Sequence, residues 1–370
     1  MTPNPMISMR RWWLIATLLM ASVAQAETVN NLYEAESPVV GQSSEVRAEA
    51  IRDAFARVLV KVSGDRGLLS NPEIDELLQR ASSYVQRYRY RMLPEERLSN
   101  EPDRPDRLLW VRFDERAVNR LLRESGVPVW GGTRPSVLVW LGEERGASRS
   151  LVSLEQQDDL RAALKRVAYA RGLPLMLPLM DVEDRSALPV SDLWGGFESD
   201  IRLASRRYQP DVILVGRMRS LGSEWQSEWT LYLPDKVNRW QTRSGNRFSL
   251  VSEALDQAAD ALALRFAPQQ VSEGSATLRI RVHGLARLAD YVLVKDYLQS
   301  LAMIEQLDLL AADPETVSFL ARIQGGRDVL ERGIQLGAVL EPVMIQAPVA
   351  VEGASAPQEL EGESLDYRLR

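Results

Sequence analysis

The chain has 370 residues, 45 Lys and Arg against 51 Asp and Glu, one histidine and no cysteine. That length predicts two or three domains, each able to bury a core, and the acidic balance argues against a nucleic-acid binder, whose footprint is net positive. The missing thiol excludes disulfides, a lipoprotein anchor, a cysteine nucleophile and thiolate metal sites.

Arg10-Arg11, the apolar run from Trp12 to Val23 and the small-x-small stretch Ala24-Gln25-Ala26 read as a secretory signal peptide over residues 1–26. The run is shorter than the roughly 20 apolar residues that span a bilayer. The mature chain is expected to begin at Glu27, in the periplasm, with no transmembrane anchor after cleavage; loss of Arg10 and Arg11 leaves 43 basic residues against 51 acidic.

An N-terminal α+β domain is expected over residues 27–130. Leu32 to Pro38 reads as a short strand, and Ser44 opens a helix whose apolar positions Ala50, Ala54, Phe55, Val58, Leu59 and Val62 recur at helical spacing. Asn71-Pro72 caps a second helix. Tyr84 to Leu93 and Leu108 to Phe113 alternate as paired strands around a polar hairpin loop over Pro94 to Asp106, and Asp114 caps a closing helix that ends at Gly126. Val127 to Pro135, with Gly131-Gly132-Thr133, reads as an interdomain linker, since it lacks the Lys of a phosphate-binding loop and precedes a strand.

A middle mixed α/β domain is expected over residues 136–267. Val137 to Leu141 is a continuous apolar run suited to a strand covered on both faces. A helix from Ser153 with Gln156 completing a capping box, an edge strand over Leu173 to Met180, a loop through Trp194-Gly195-Gly196 and a helix around Ile201 to Tyr208 follow. Val212 to Val215 is another buried strand. The pattern then becomes a meander, with Trp225, Ser227, Trp229 and Leu231 on one strand face, a return strand through Trp240, and a helix from Ser249 to Phe266. Beyond a polar linker, residues 275–342 read in the order βαββαβ, a ferredoxin-like domain. Residues 346–370 are rich in Ala, Pro, Gly and Glu and read as a disordered tail. The fold class is thus α/β in the α+β sense, with three small mixed-sheet domains.

The opening Leu32-Tyr33-Glu34-Ala35, the helix end Leu59-Val60-Lys61-Val62-Ser63-Gly64, and Val212-Ile213-Leu214-Val215-Gly216 followed by Trp225 to Trp229 resemble the exported bacterial family called domain of unknown function 2066 (DUF2066). In element order the middle domain is similar to small α/β domains of periplasmic scaffold proteins, among them the TolB amino-terminal domain and FlgT. It is similar too to the lipoprotein activators of cell-wall synthases, from which it departs in lacking an anchor cysteine. The resemblance implies an envelope location and supplies no chemistry.

Catalytic signatures are sparse. The lone His283 ends a strand beside Gly284, with no Gly-x-Ser-x-Gly elbow, so it reads as structural. Asp181, Glu183 and Asp184 cluster where a strand ends, a place suited to paired acid and base or to a hard cation, yet their spacing matches no calcium loop and a solvated loop is the plainer reading. No cofactor and no metal site is expected. Two surfaces are candidates for binding. Arg87, Arg89 and Arg91 share one strand face with Val85, joined by Arg112 on the next strand, and would take carboxylates or phosphates, unless they serve only to protect a sheet edge. Trp225, Trp229 and Trp240 would anchor a protein partner or stack on sugars, unless the closing helix covers them. The expected function is a non-enzymatic periplasmic binding or scaffold protein with an envelope protein partner. The alternatives are a carboxylate-dependent hydrolase of an envelope glycan and a soluble receptor for a small ligand.

Overall fold

The computed structural model describes residues 29–92, 105–153, 157–267, 276–313, 316–337, 339–343 and 364–370. The expected signal peptide and most of the expected hairpin loop lie outside these residues. The protein is a mixed α+β chain, and its described residues form three sheets of three, six and five strands. No described helix is long and apolar enough to cross a membrane.

The first sheet has the order β1-β3-β2, all antiparallel, from Glu34–Val39 (β1), Val85–Met92 (β2) and Arg107–Phe113 (β3). α1 (Ser44–Ser63) opens at Ser44 as expected, and Ser43 caps it, accepting from the Val46 amide. The stripe Ala54, Phe55, Val58, Leu59 and Val62 lies against Ala35, Leu109, Val111 and Phe113 on the inner sheet face. Asn71 and Asp114 cap α2 (Pro72–Gln79) and α3 (Glu115–Glu124) through their side-chain oxygens, satisfying amides that have no intrahelical partner.

In the second sheet β4 (Val137–Arg145) and β7 (Val212–Leu221) are parallel neighbours, and β8 (Glu224–Tyr232) and β9 (Val237–Ser244) continue as an antiparallel meander. The outer edge of β4 is shared by the hairpin partner β5 (Ser148–Leu151) and a two-residue parallel strand β6 (Leu175–Met176). Pro174 and Pro178 restrict that second strand to a fragment of the expected Leu173 to Met180, because proline cannot donate to a ladder. The helix expected from Ser153 begins as α4 at Asp158 and runs to Arg171. Two short helices, α5 (Val182–Ala187) and α6 (Val190–Gly195), take the place of the expected loop before α7 (Glu198–Ser205). α4 and α8 (Arg247–Phe266) cover one face of the sheet and α6 and α7 the other, giving two cores. Gly216 decides the packing on the α8 side, since a Cβ there would fall 2.2 Å from the Trp229 ring.

The third sheet has the order β11-β12-β10-β14-β13. Its elements β10 (Ala276–His283), α9 (Leu288–Ser300), β11 (Ile304–Ala312), β12 (Thr316–Ile323), α10 (Arg327–Leu336) and β13 (Leu340–Pro342) follow the expected order βαββαβ. The expected tail contributes a further strand, β14 (Ser364–Leu369), which pairs parallel with β10 and antiparallel with β13. The alternating Leu365, Tyr367 and Leu369 explain it: Leu365 and Tyr367 are buried in the third core, whereas composition averaged over the preceding polar stretch conceals their period of two.

Val127 to Pro135 is not a free linker. Val127 and Val129 belong to the first core and Trp130 to the second. Gly131 faces Ala302 of the third unit, where a Cβ would sit 2.7 Å from the Ala302 methyl.

Candidate functional site

The outer face of the first sheet places its side chains in rows across three strands. Glu34, Arg112 and Arg87 are in register, as are Glu36, Trp110 and Arg89, and then Pro38, Leu108 and Arg91. The four arginines singled out from the sequence therefore share a surface. Val85 does not share it: a bulge between Val85 and Arg87 turns Val85 inward beside Phe113 and Tyr84, because one extra residue inverts the alternation that follows. Tyr84 stacks on Phe55 at 5.1 Å between ring centroids, anchoring the start of β2.

Local acids compensate part of this face. Arg91 donates to Glu36 at 2.8 Å, Arg112 lies 3.6 Å from Glu34, and the Arg89 guanidinium sits 4.6 Å from the Trp110 ring centroid. The Trp110 indole N–H in turn donates to Glu34 at 3.3 Å. Among the described residues four guanidinium groups thus face two carboxylates, and a planar fork held against an aromatic ring is preorganised for bidentate contact with a carboxylate or phosphate. The face continues around Arg112 into a cleft of about 570 Å³, lined also by Tyr33, Glu115, Asn119 and Arg123 and closed on its far side by Ser300 and Ala302. Tyr33 donates to Asn119 at 2.9 Å there, and burial pushes its hydroxyl pKa up to about 12.

The aromatic candidates are largely interior. Trp229 is 1% exposed, and its indole N–H donates to Ser227 at 2.6 Å and Thr242 at 3.2 Å. Trp240 is its cross-strand partner, and both Trp240 and Trp225 pack partly buried against the same core. The small residues of α8, Ala254, Ala258 and Ala259, leave room for these rings. Trp229 is therefore core, and the three residues form no open aromatic face. The carboxylate cluster is also engaged. Asp181 caps α5, Asp184 is buried and accepts from the Met180 amide and the Tyr208 hydroxyl, and Arg207 bridges Asp181, Glu183 and Asp184. Arg207 beside it holds the Asp181 pKa down to about 2. His283 lies on the open face of the third sheet, 3.0 Å from both Asp366 and the Thr316 hydroxyl.

One cluster escaped sequence reasoning. Where the ends of α1 and α4 meet, Arg134 is 0% exposed and donates to five backbone carbonyls, those of Lys61, Trp130, Gly131, Arg171 and Gly172. Its guanidinium stacks 4.1 Å from the Trp130 ring centroid, and burial lowers its pKa to about 9. Arg171 donates to the Gly64 carbonyl and pairs with Asp256 and Asp260 of α8, which also hold Arg66. Cations at helix C-termini satisfy orphan carbonyls and oppose the helix dipole, so this cluster joins the first unit to the second. Lys61 was the legible clue, one charge on the buried stripe of α1 between Val58 and Val62; nothing in the sequence marks Arg134.

Comparison with known proteins matches residues 26–131 to a Domain of unknown function (DUF8605). The match spans the first sheet, with its arginine face, and stops before the second. It overturns the resemblance to domain of unknown function 2066: the matching family is a different one, and the Val212 to Trp229 segment quoted for that resemblance lies outside it. No curated protein matches the chain. Among solved structures, the N-terminal domain of Thermus thermophilus Protein Y is similar with a TM-score of 0.18 and 8% identity, over 35% of this chain and 93% of that one. The C-terminal domain of LpoB from Salmonella enterica is similar with a TM-score of 0.21 and 15% identity, over 34% of this chain and 90% of that one.

Proposed function

We propose that the protein is a non-enzymatic binding or scaffold protein of the periplasm, and that it holds an acidic envelope partner on the arginine face of the first sheet. The observation that carries this reading is the grid of Arg87, Arg89, Arg91 and Arg112 around Trp110, in which, among the described residues, four cations on two neighbouring strands meet Glu34 and Glu36. The sequence pattern of residues 1–26, basic then apolar then small, supports the periplasmic part of this reading. The carboxylate-only hydrolase is disfavoured by Arg207 and Tyr208, which occupy the acids at Asp181 and Asp184 with structural contacts.

The test is capture of crosslinked partners from intact cells with the natural chain and with an Arg87→Glu, Arg89→Glu double variant, alongside flotation with anionic and neutral vesicles. Loss of one captured acidic protein in the variant, at unchanged melting temperature, supports the proposal. Capture indifferent to both substitutions and to salt refutes it, and equal retention on anionic vesicles alone would assign the face to lipid instead.

A further inference from the structure

β14 is an addition to a fold that is already complete in element order. The segment β10-α9-β11-β12-α10-β13 supplies every element of a βαββαβ unit, and in such a unit the last strand lies beside the first. Here, among the described residues, β13 pairs with β14 alone, over Leu340–Leu369, Glu341–Arg368 and Pro342–Tyr367. β14 fills the gap between β13 and β10, in register from Arg279–Ser364 to His283–Arg368. β13 and β14 are antiparallel neighbours, and residues 344–363 lie between Val343 and Ser364 in sequence.

The contacts β14 makes are those of a bound peptide. Its backbone completes the ladder of β10 and closes on Val339 and Val343, the Arg370 amide donating to the Val339 carbonyl and the Val343 amide to the Asp366 carbonyl. Leu365 and Tyr367 enter the core on one side. On the other, Asp366 accepts from Arg281 at 2.8 Å and lies 3.0 Å from His283 Nε2, while Ser364 accepts from Arg281 at 3.2 Å. Main-chain pairing supplies affinity and the alternate side-chain positions supply selectivity, the mode of recognition by strand addition. Arg281 and His283 project from the strand that the added segment pairs with, so the slot itself selects an acid at the central position.

We propose that the space between β10 and β13 is a peptide-binding slot for an extended partner segment of the pattern apolar-acidic-aromatic, which residues 364–369 occupy within the free protein. A partner strand of that pattern displaces β14, pairs with β10, seats its apolar and aromatic side chains where Leu365 and Tyr367 sit, and places its carboxylate on Arg281 and His283. This goes beyond the arginine face, which lies on a different sheet, and each can fail without the other.

The experiment uses the full chain and a fluorescent peptide spanning residues 364–370. In a Leu365→Asp, Tyr367→Asp variant the chain's own strand is released, and the peptide should bind at least tenfold more tightly than to the natural chain. A peptide carrying Asp366→Asn should lose about tenfold of that affinity. Amide exchange in α9 and α10 of the variant should remain protected without peptide. Loss of that protection, or absence of binding to a protected domain, overturns the proposal, because β14 would then be an integral strand. A second chain with a protease site placed within residues 344–363 avoids the substitutions: after cleavage, the labelled peptide should replace the severed segment within hours, and failure to exchange likewise overturns it.

Discussion

Lys61 offers the sharpest test of the physical account. Its side chain is 1% exposed, its ammonium donates to the carbonyls of Asn31 at 3.3 Å and Glu34 at 2.9 Å, and it lies 4.0 Å from the Tyr169 ring centroid. Burial first, and then the neighbouring Arg134, push its pKa from the ordinary 10.5 down to about 7. Between those two values the unfolded chain keeps a proton that the folded chain has released, so stability rises with pH. The slope from this one group is at most about 1.4 kcal/mol per pH unit, and from pH 7 to pH 10 it amounts to no more than about 4 kcal/mol. Below about pH 7 both states carry the proton and the cost of burying it is present in full. Tyr33 and Tyr169, pushed up to about 12 chiefly by burial, bound the window from above, because their unfolded counterparts ionise near pH 10 and the folded hydroxyls do not. Urea titrations at several pH values, read through amide exchange in α1, should show the natural chain gaining stability from pH 7 to 9.5. Lys61→Met should have a nearly flat profile across the same range. Parallel profiles for the two chains, or a Lys61 side-chain resonance titrating near 10.5, would refute the reasoning.

Three further outcomes follow from particular contacts. Arg134→Met should cost about 3–5 kcal/mol, since it strands buried carbonyls that five hydrogen bonds now satisfy, and it should let the first unit unfold at a lower temperature than the second in calorimetry. Gly216→Ala should destabilise the second unit by about 1–3 kcal/mol or more, seen as a lowered urea midpoint of Trp fluorescence, because its methyl would overlap the Trp229 ring and Leu141. Asp181, held down to about 2 by Arg207, contributes stability that is present above about pH 4 and is lost as pH falls toward 2. Asp181→Asn should shift the acid midpoint of unfolding upward at the α5 amides, and unchanged acid unfolding would count against the Arg207 contact.

Much of the local structure was legible because its signals are local. Asn71 and Asp114 are helix caps by side-chain chemistry, the α1 stripe follows helical spacing, and the strand runs of the second sheet show as apolar stretches or alternation. The arginine row was legible by the same alternation, and Arg112 joins it through pairing of β2 and β3. Misreadings arose where a single residue or a long-range contact intervenes. The bulge beside Gln86 inverted the assignment of Val85, two prolines reduced an apolar run to two paired residues, and the burial of Trp229 depends on a helix of small residues some thirty positions away.

Sequence alone therefore determined the mixed α+β class, the absence of disulfides, the periodic faces of helices and strands and the positive row on β2. Tertiary structure alone decided that Val127 to Pro135 is a buried clamp, that Arg134 and Lys61 lie in the interior, and that residues 364–369 enter the third sheet between β10 and β13. Periodicity states which side of an element is apolar. It does not state which distant element will cover that side or satisfy its backbone groups, and that choice depends on contacts between residues tens to hundreds of positions apart.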